Sequence, residues 1–220
     1  MRTLFFLILV LFTVMAKAYT VPTYRDQKMA TQAMLEKQVF TNVAAASLDY
    51  TKVAAAGNTS AAAATLTSFA AQPDVPRNIV IHPTGTAADI ASCDITVNGT
   101  NIYGNAISEV FQTTLNVSSD ITGAKAFKTL SSVAFPANCE DSPFGVTYSI
   151  GIGEKIGLKK CLDVAGDWAW SSAAGVYSAT RWTVVTDVDE VEKNTVDIYE
   201  SMDGSADFLG YFVQNFRCLH

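Results

Sequence analysis

Apolar and polar residues alternate in short bursts along most of this chain. The bursts are Asn78-Ile-Val-Ile-His82, Asp94-Ile-Thr-Val97, Ala106-Ile-Ser-Glu-Val-Phe-Gln112, Ala126-Phe-Lys-Thr-Leu130, Ser132-Val-Ala-Phe135, Val146-Thr-Tyr-Ser-Ile-Gly-Ile152, Arg181-Trp-Thr-Val-Val185, Thr195-Val-Asp-Ile-Tyr199 and Phe208-Leu-Gly-Tyr-Phe-Val213. They are rich in β-branched and aromatic residues and are bounded by Gly, Asn, Asp and Pro, which is how half-buried strands read. In 106–112 the period of two sets Ile107, Glu109 and Phe111 against Ser108 and Val110. His82 falls at the end of its burst, before Pro83. Asn98-Gly99 predicts a type I′ hairpin from 94–97 into Asn101-Ile-Tyr103, because both turn residues tolerate positive φ. Gly104-Asn105 predicts a second turn. Many short strands with tight turns predict a mainly β fold, an antiparallel β-sandwich or barrel-like domain.

The N-terminal third has a different pattern. Leu4 to Val14 is an apolar run relieved only by Thr13, with Arg2 before it and Met15-Ala-Lys-Ala18 after it. A basic start, a short apolar stretch and a small-residue exit match a secretory leader cleaved after Ala18. A span would need about 20 apolar residues, so no stable membrane span is expected once the leader is removed. The competing reading starts translation at Met15, so the mature chain begins at Met1, Ala16 or Tyr19. Thr23 can cap a helix over Tyr24–Phe40 with Met29, Ala33, Met34, Leu35 and Val39 as an imperfect stripe. Val43–Ala71 is alanine-rich and broken by Gly57-Asn-Thr-Ser60. The expected organisation is a leader or extension over 1–18, a helical and alanine-rich arm over 19–72, and a β domain over 73–220 with a sub-domain from about 160.

Composition narrows the chemistry. Of 220 residues, 49% are hydrophobic and 16% charged, enough for a real core and too apolar for general disorder. The net charge is -6, and loss of Arg2 and Lys17 with the leader makes it -8. Nucleic acid is therefore not an expected partner. With only His82 and His220 available, multi-histidine metal sites lack ligands, and no metal or cofactor is expected. A nucleophile and base pair would need a Ser or Cys beside His82, and nothing in the order of residues supplies one, so the chain reads as a non-enzyme.

Cys93, Cys139, Cys161 and Cys218 contain no Cys-x-x-Cys pair and allow three disulfide pairings, Cys139 with Cys161 being one that closes a short loop. The acidic run Asp187-Val-Asp-Glu-Val-Glu192 reads as a solvated loop rather than a calcium site, which needs 6 to 8 oxygens from several directions. Asp203-Gly-Ser-Ala-Asp207 reads as a hairpin turn. Trp168, Trp170, Tyr177 and Trp182 are the candidate binding surface. Two apart on a strand, Trp168 and Trp170 would share a face, and aromatic rings can stack on sugars. Sequons occur at Asn58, Asn98 and Asn116.

The stretches Asp74-Val-Pro-Arg-Asn-Ile-Val-Ile81, Asp94 to Glu109, Gly123-Ala-Lys-Ala-Phe-Lys-Thr129 and Ile150-Gly-Ile-Gly-Glu-Lys-Ile-Gly-Leu158 resemble a recurrent β-sandwich module of tailed-bacteriophage virion proteins. The similarity covers roughly residues 70–160. The chain departs from the pattern in its leader, its four cysteines and the insert from Cys139 to Phe144. The resemblance implies a head decoration or minor capsid component, located in the virion, with no catalytic residues. It implies other virion proteins or copies of the same chain as partners, in a homo-oligomer. The alternative function is a secreted or periplasmic module that binds glycan or a cell surface. Lys125 and Lys128 are read as charges that guard strand edges, and the abundance of Thr, Ser and Ala suits flat packing between subunits.

Overall fold

In a computed structural model, the described residues are 35–43, 54–58, 63–137, 139, 146–173, 176–178, 183–197 and 204–213. The chain divides after Leu35, and the sheets are built in the unit Glu36–His220. Fourteen strands run in order: β1 (Leu35–Val43), β2 (Ala54–Asn58), β3 (Ala64–Leu66), β4 (Arg77–Thr84), β5 (Asp94–Thr100), β6 (Ala106–Gln112), β7 (Ile121–Phe127), β8 (Thr129–Phe135), β9 (Thr147–Gly157), β10 (Trp168–Ala173), β11 (Val176–Ser178), β12 (Thr183–Val185), β13 (Thr195–Asp197) and β14 (Ala206–Val213). The fold is mainly β, as the alternation predicts. Helical structure among the described residues is confined to three 3-10 turns, Ala87–Asp89, Ala165–Asp167 and Val191–Lys193.

The strands form three antiparallel sheets. The first has the order β1-β14-β10-β11, the second β12-β13-β9-β4-β7 with β2 also on β9, and the third β3-β8-β5-β6. One core lies between the second and third sheets. It joins Ile79, Ile81, Tyr148, Ile150 and Ile152 to Ile95, Val97, Phe111, Leu130, Val133 and Phe135. A second core joins Val43, Ile156, Val196, Phe208 and Phe212. The eleven residues of β9 serve both, Ile150 and Ile152 in one and Ile156 in the other.

Several expectations from the sequence are corrected. The helix over Tyr24–Phe40 fails where it can be read. Residues 35–40 belong to β1, whose buried Gln38 and Val43 tie it to β9 and to the second core. Local helix propensity is a weak preference that tertiary pairing overrides. The rest of that helix and the leader lie outside the described residues. Of the expected arm, β1, β2 and β3 pair with β14, β9 and β8. The region after 160 splits, β10, β11 and β14 entering the first sheet and β12 and β13 the second.

Asn98-Gly99 is not a turn. Both residues lie within β5, which pairs with β6 on one side and β8 on the other. Glycine is required there because a Cβ would sit 2.0 Å from the Thr129 carbonyl oxygen. The turn comes later, at Asn101–Asn105, where Asn101 Oδ1 accepts from the N–H groups of Tyr103 and Asn105, and Gly104 has φ +83°. Pro83 does not end its strand either; it pairs with Tyr148 inside β4.

Cys93 bonds Cys139, so the Cys139–Cys161 pairing does not form. Cys161 is itself disulfide-bonded, and Cys218 lies outside the described residues.

Candidate functional site

The strongest polar construction is on β4. Between Arg77 and Ile79 the register with β9 jumps from Ile156 to Ile152, and between Asn78 and Val80 the register with β7 jumps from Ala126 to Thr122. Each neighbour thus carries two extra residues opposite the same point of β4, a paired bulge. The fully buried Asn78 amide holds both. Its Nδ2 donates to the Gly123 carbonyl at 3.3 Å, and its Oδ1 accepts from the Lys155 N–H at 3.0 Å. Buried Arg77 adds a bond to the Gly153 carbonyl at 3.3 Å and an ion pair with Asp74 at 3.2 Å. Burial lowers the Arg77 pKa, against the pull of Asp74 and Glu154.

The bulges open a cleft of about 290 Å³ lined by Asn78, Val80, Asp120, Thr122, Gly153, Glu154, Lys155 and Asp197. Three carboxylates face one ammonium group. Burial raises the Glu154 pKa, helped by the charge of Asp197, and burial raises that of Asp197 against the pull of Lys155. At the rim, His82 Nδ1 and Asp120 Oδ1 are 2.6 Å apart, both side chains about one-third exposed. Ser149 on β9 is the register partner of His82. Strand pairing therefore sets a serine beside His82, which the linear order of residues left without one.

The acidic run 187–192 is a hydrogen-bonded turn whose Asp187, Asp189 and Glu190 side chains stay open to solvent. Asn194, fully buried, uses its whole hydrogen-bonding capacity: Oδ1 accepts from the N–H groups of Leu162 and Asp187, and Nδ2 donates to the carbonyls of Asp187 and Glu190. The Asp187 carboxylate accepts from the backbone N–H groups of Glu190 and Asp189, which hold its pKa down. Lys125 on β7 reaches Glu190 at 2.7 Å and Glu192 at 3.4 Å, and Lys193 reaches Glu190 at 2.8 Å. Hydrogen bonds from Lys125 and Lys193 lower the Glu190 pKa. Burial acts to lower that of Lys125, but its acidic partners raise it overall. Lys125 thus anchors the edge of β7 to the turn. Glu109 of β6 guards the same edge, accepting from the Ala124 N–H at 2.6 Å and the Lys125 N–H at 3.3 Å. Lys128 instead donates to the Asp74 carbonyl.

Trp168 and Trp170 are on β10 and Tyr177 is on β11. Trp168 packs into the second core, nearly parallel to Phe208 and Phe212 with ring centroids 6.1 Å away in each case. Trp170 pairs with Tyr211, and the register with β14 shifts between Trp168 and Trp170. Tyr177 is on β11 across from Ser172, and Trp182 lies outside the described residues.

The third sheet presents a run of uncharged side chains on its outward face. Thr65, Ala134, Thr96 and Val110 lie abreast across its four strands, followed by Ser132, Asn98 and Ser108 and then by Thr129, Thr100 and Ala106. These ten side chains carry no charge. Asn98 donates to Ser132 Oγ at 3.1 Å, and the hydroxyls of Thr100 and Thr129 are 2.6 Å apart. The alternation that buries Ile95, Val97, Phe111 and Val133 leaves this set outside.

No protein-family model, curated protein or solved structure matches the chain.

Proposed function

We propose that this chain is a structural protein that assembles on a larger particle, decorating or cementing a virion through repeated contacts of its β domain. The observation that carries the reading is the run of ten uncharged side chains on the outward face of the third sheet, bounded at one end by Asp94 and Gln112. Short hydroxyl and methyl side chains lose little rotamer entropy on docking. Without a charge on these side chains, no ion has to be desolvated there when the face is covered. The resemblance of residues 70–160 to virion modules supports the same setting. Disulfides also persist on virion surfaces. A copy of the same chain or a capsid subunit is the partner this face would take.

The test is to place charge on the face without touching the core. Val110 is 58% exposed and Ser108 is exposed, both pointing outward from β6. Ser108→Arg/Val110→Arg should keep the wild-type Tm yet leave the protein free of purified particles that retain wild type. Wild type absent from particles and free in culture supernatant would sink the proposal.

A second reading, a secreted or periplasmic binding module, is favoured by the disulfide-bonded Cys93, Cys139 and Cys161 together with the leader pattern. Intact mass and N-terminal sequencing separate the two. A chain beginning at Tyr19 supports export, and one beginning at Ala16 supports synthesis from Met15 without a leader.

A further inference from the structure

We propose that Ser149 is a nucleophile activated by His82, giving the chain a serine esterase activity toward small carboxylic esters beside the β4 cleft. This activity goes beyond the assembly role and rests on separate residues.

His82 lies on β4 with Asp120 on one side, Nδ1 to Oδ1 2.6 Å. On the other side Ser149 is its direct partner on β9. Directly opposed residues of an antiparallel pair share a face, with Cβ atoms about 5 Å apart, a gap that a serine hydroxyl and an imidazole together can span. The carboxylate, imidazole and hydroxyl thus follow one another across neighbouring strands. A base oriented by a third group and placed beside a nucleophile is the arrangement that activates serine. From Ile79 and Ile152 to Thr84 and Thr147 the β4–β9 register is unbroken, so strand pairing holds His82 beside Ser149. Side chains of His82 and Asp120 remain about one-third exposed, so a substrate can reach them. The cleft beside them shares Asp120 and has room for a small acyl group, over Val80 and Thr122. Glu154 and Asp197 against Lys155 favour neutral or cationic esters over anionic ones.

In the reaction, Ser149 Oγ forms a bond to the ester carbonyl carbon while its proton passes to His82. The ester C–O bond breaks, and the departing alkoxide takes that proton. Water then attacks the acyl-serine, gives its proton to His82, and releases the acid as the proton returns to Ser149. Asp120 is a positioning residue that orients the ring.

The experiment uses full-length protein with a fluorophosphonate probe and 4-nitrophenyl acetate. Wild type should gain one phosphonate adduct, mapped by mass spectrometry to the peptide containing Ser149, and release nitrophenol with a burst. Ser149→Ala should abolish the adduct at unchanged Tm. His82→Gln should slow labelling at least 100-fold, within the usual range for loss of a general base. Asp120→Asn should lower kcat and leave KM in place. An adduct elsewhere, no adduct on folded wild type, or labelling of Ser149 that is indifferent to His82→Gln would overturn the proposal.

Discussion

Asn78 and Gly153 occupy one another's space: a Cβ on Gly153 would lie 2.5 Å from both polar atoms of the Asn78 amide. The amide cannot swing away, because it is fully buried and tied to Gly123 and Lys155. It closes the two bulges that form the cleft. Gly153→Ala should therefore cost about 1–3 kcal/mol, the usual range for overpacking. Asn78→Ala should cost a similar amount by leaving a buried carbonyl and N–H unpaired. The two changes are not independent, since the smaller side chain at position 78 vacates the volume that a methyl group at position 153 needs. Urea unfolding should find the double variant less destabilised than the sum of the singles. Strict additivity would show that the two side chains do not compete for that space.

A second prediction concerns Asn194, which no pattern in the sequence singles out. Its four hydrogen bonds tie Asp187, Glu190 and Leu162 together. Asn194→Leu is close in size but removes all four, and should cost about 3 kcal/mol or more. Asn194→Asp keeps the acceptors and loses the donors to the carbonyls of Asp187 and Glu190, while adding charge to an acidic turn. Its destabilisation should shrink as pH falls and the new carboxyl protonates. Thermal unfolding between pH 4 and 8 measures both.

Strand content was legible because alternation is a local signal. The segments 106–112 and 132–135 lie within the observed strands and put Phe111, Val133 and Phe135 in the core. What was not legible depends on partners distant in sequence. Asn98-Gly99 has turn chemistry, but its glycine answers the approach of Thr129, 30 residues away, and its asparagine bonds Ser132. Tyr24–Phe40 carries an imperfect helical stripe, yet over 35–40 the pairing of β1 with β14 decides the state. The candidate site was hidden for the same reason. His82 acquires Asp120 and Ser149 only through strand register, and Asn78 becomes a plug only because two neighbours bulge at one point.

The Cys93–Cys139 bond gives a third prediction. It spans 46 positions and ties the start of the third sheet's β5 to the segment after β8. Ala91 N–H donates to the Cys139 carbonyl, and so does the buried Tyr148 hydroxyl, so the bond is surrounded by ordered structure. A loop of this size corresponds to about 4 kcal/mol in the chain-entropy account. Cys93→Ser/Cys139→Ser should lower Tm by about 10 °C and leave Cys161 in its own disulfide. Calorimetry with thiol counting under denaturing conditions reads both.

Asp197 sets a pH dependence opposite in sign to that of the acidic turn. Asp187 and Glu190 have lowered folded pKa values, so the stability they contribute is present above their unfolded values and is lost as pH falls through the folded ones. Both are close to solvent and their effect is small. Asp197 is shifted upward by burial, from an ordinary value of 3.8. Its proton is held more tightly in the folded chain, so the folded state loses stability as pH rises from the ordinary range through the folded value, and regains it on acidification. One buried carboxylate oxygen of Asp197 has no hydrogen-bond partner in this structure. Asp197→Asn removes the charge and should therefore stabilise the protein at pH 7, by no more than about 1 kcal/mol after solvent screening, or roughly 3 °C in Tm. The gain should shrink from pH 7 to pH 4, as wild-type Asp197 takes up its own proton. A variant less stable than wild type at pH 7, or equally shifted at both pH values, would show that the Asp197 charge is favourably compensated in the cleft.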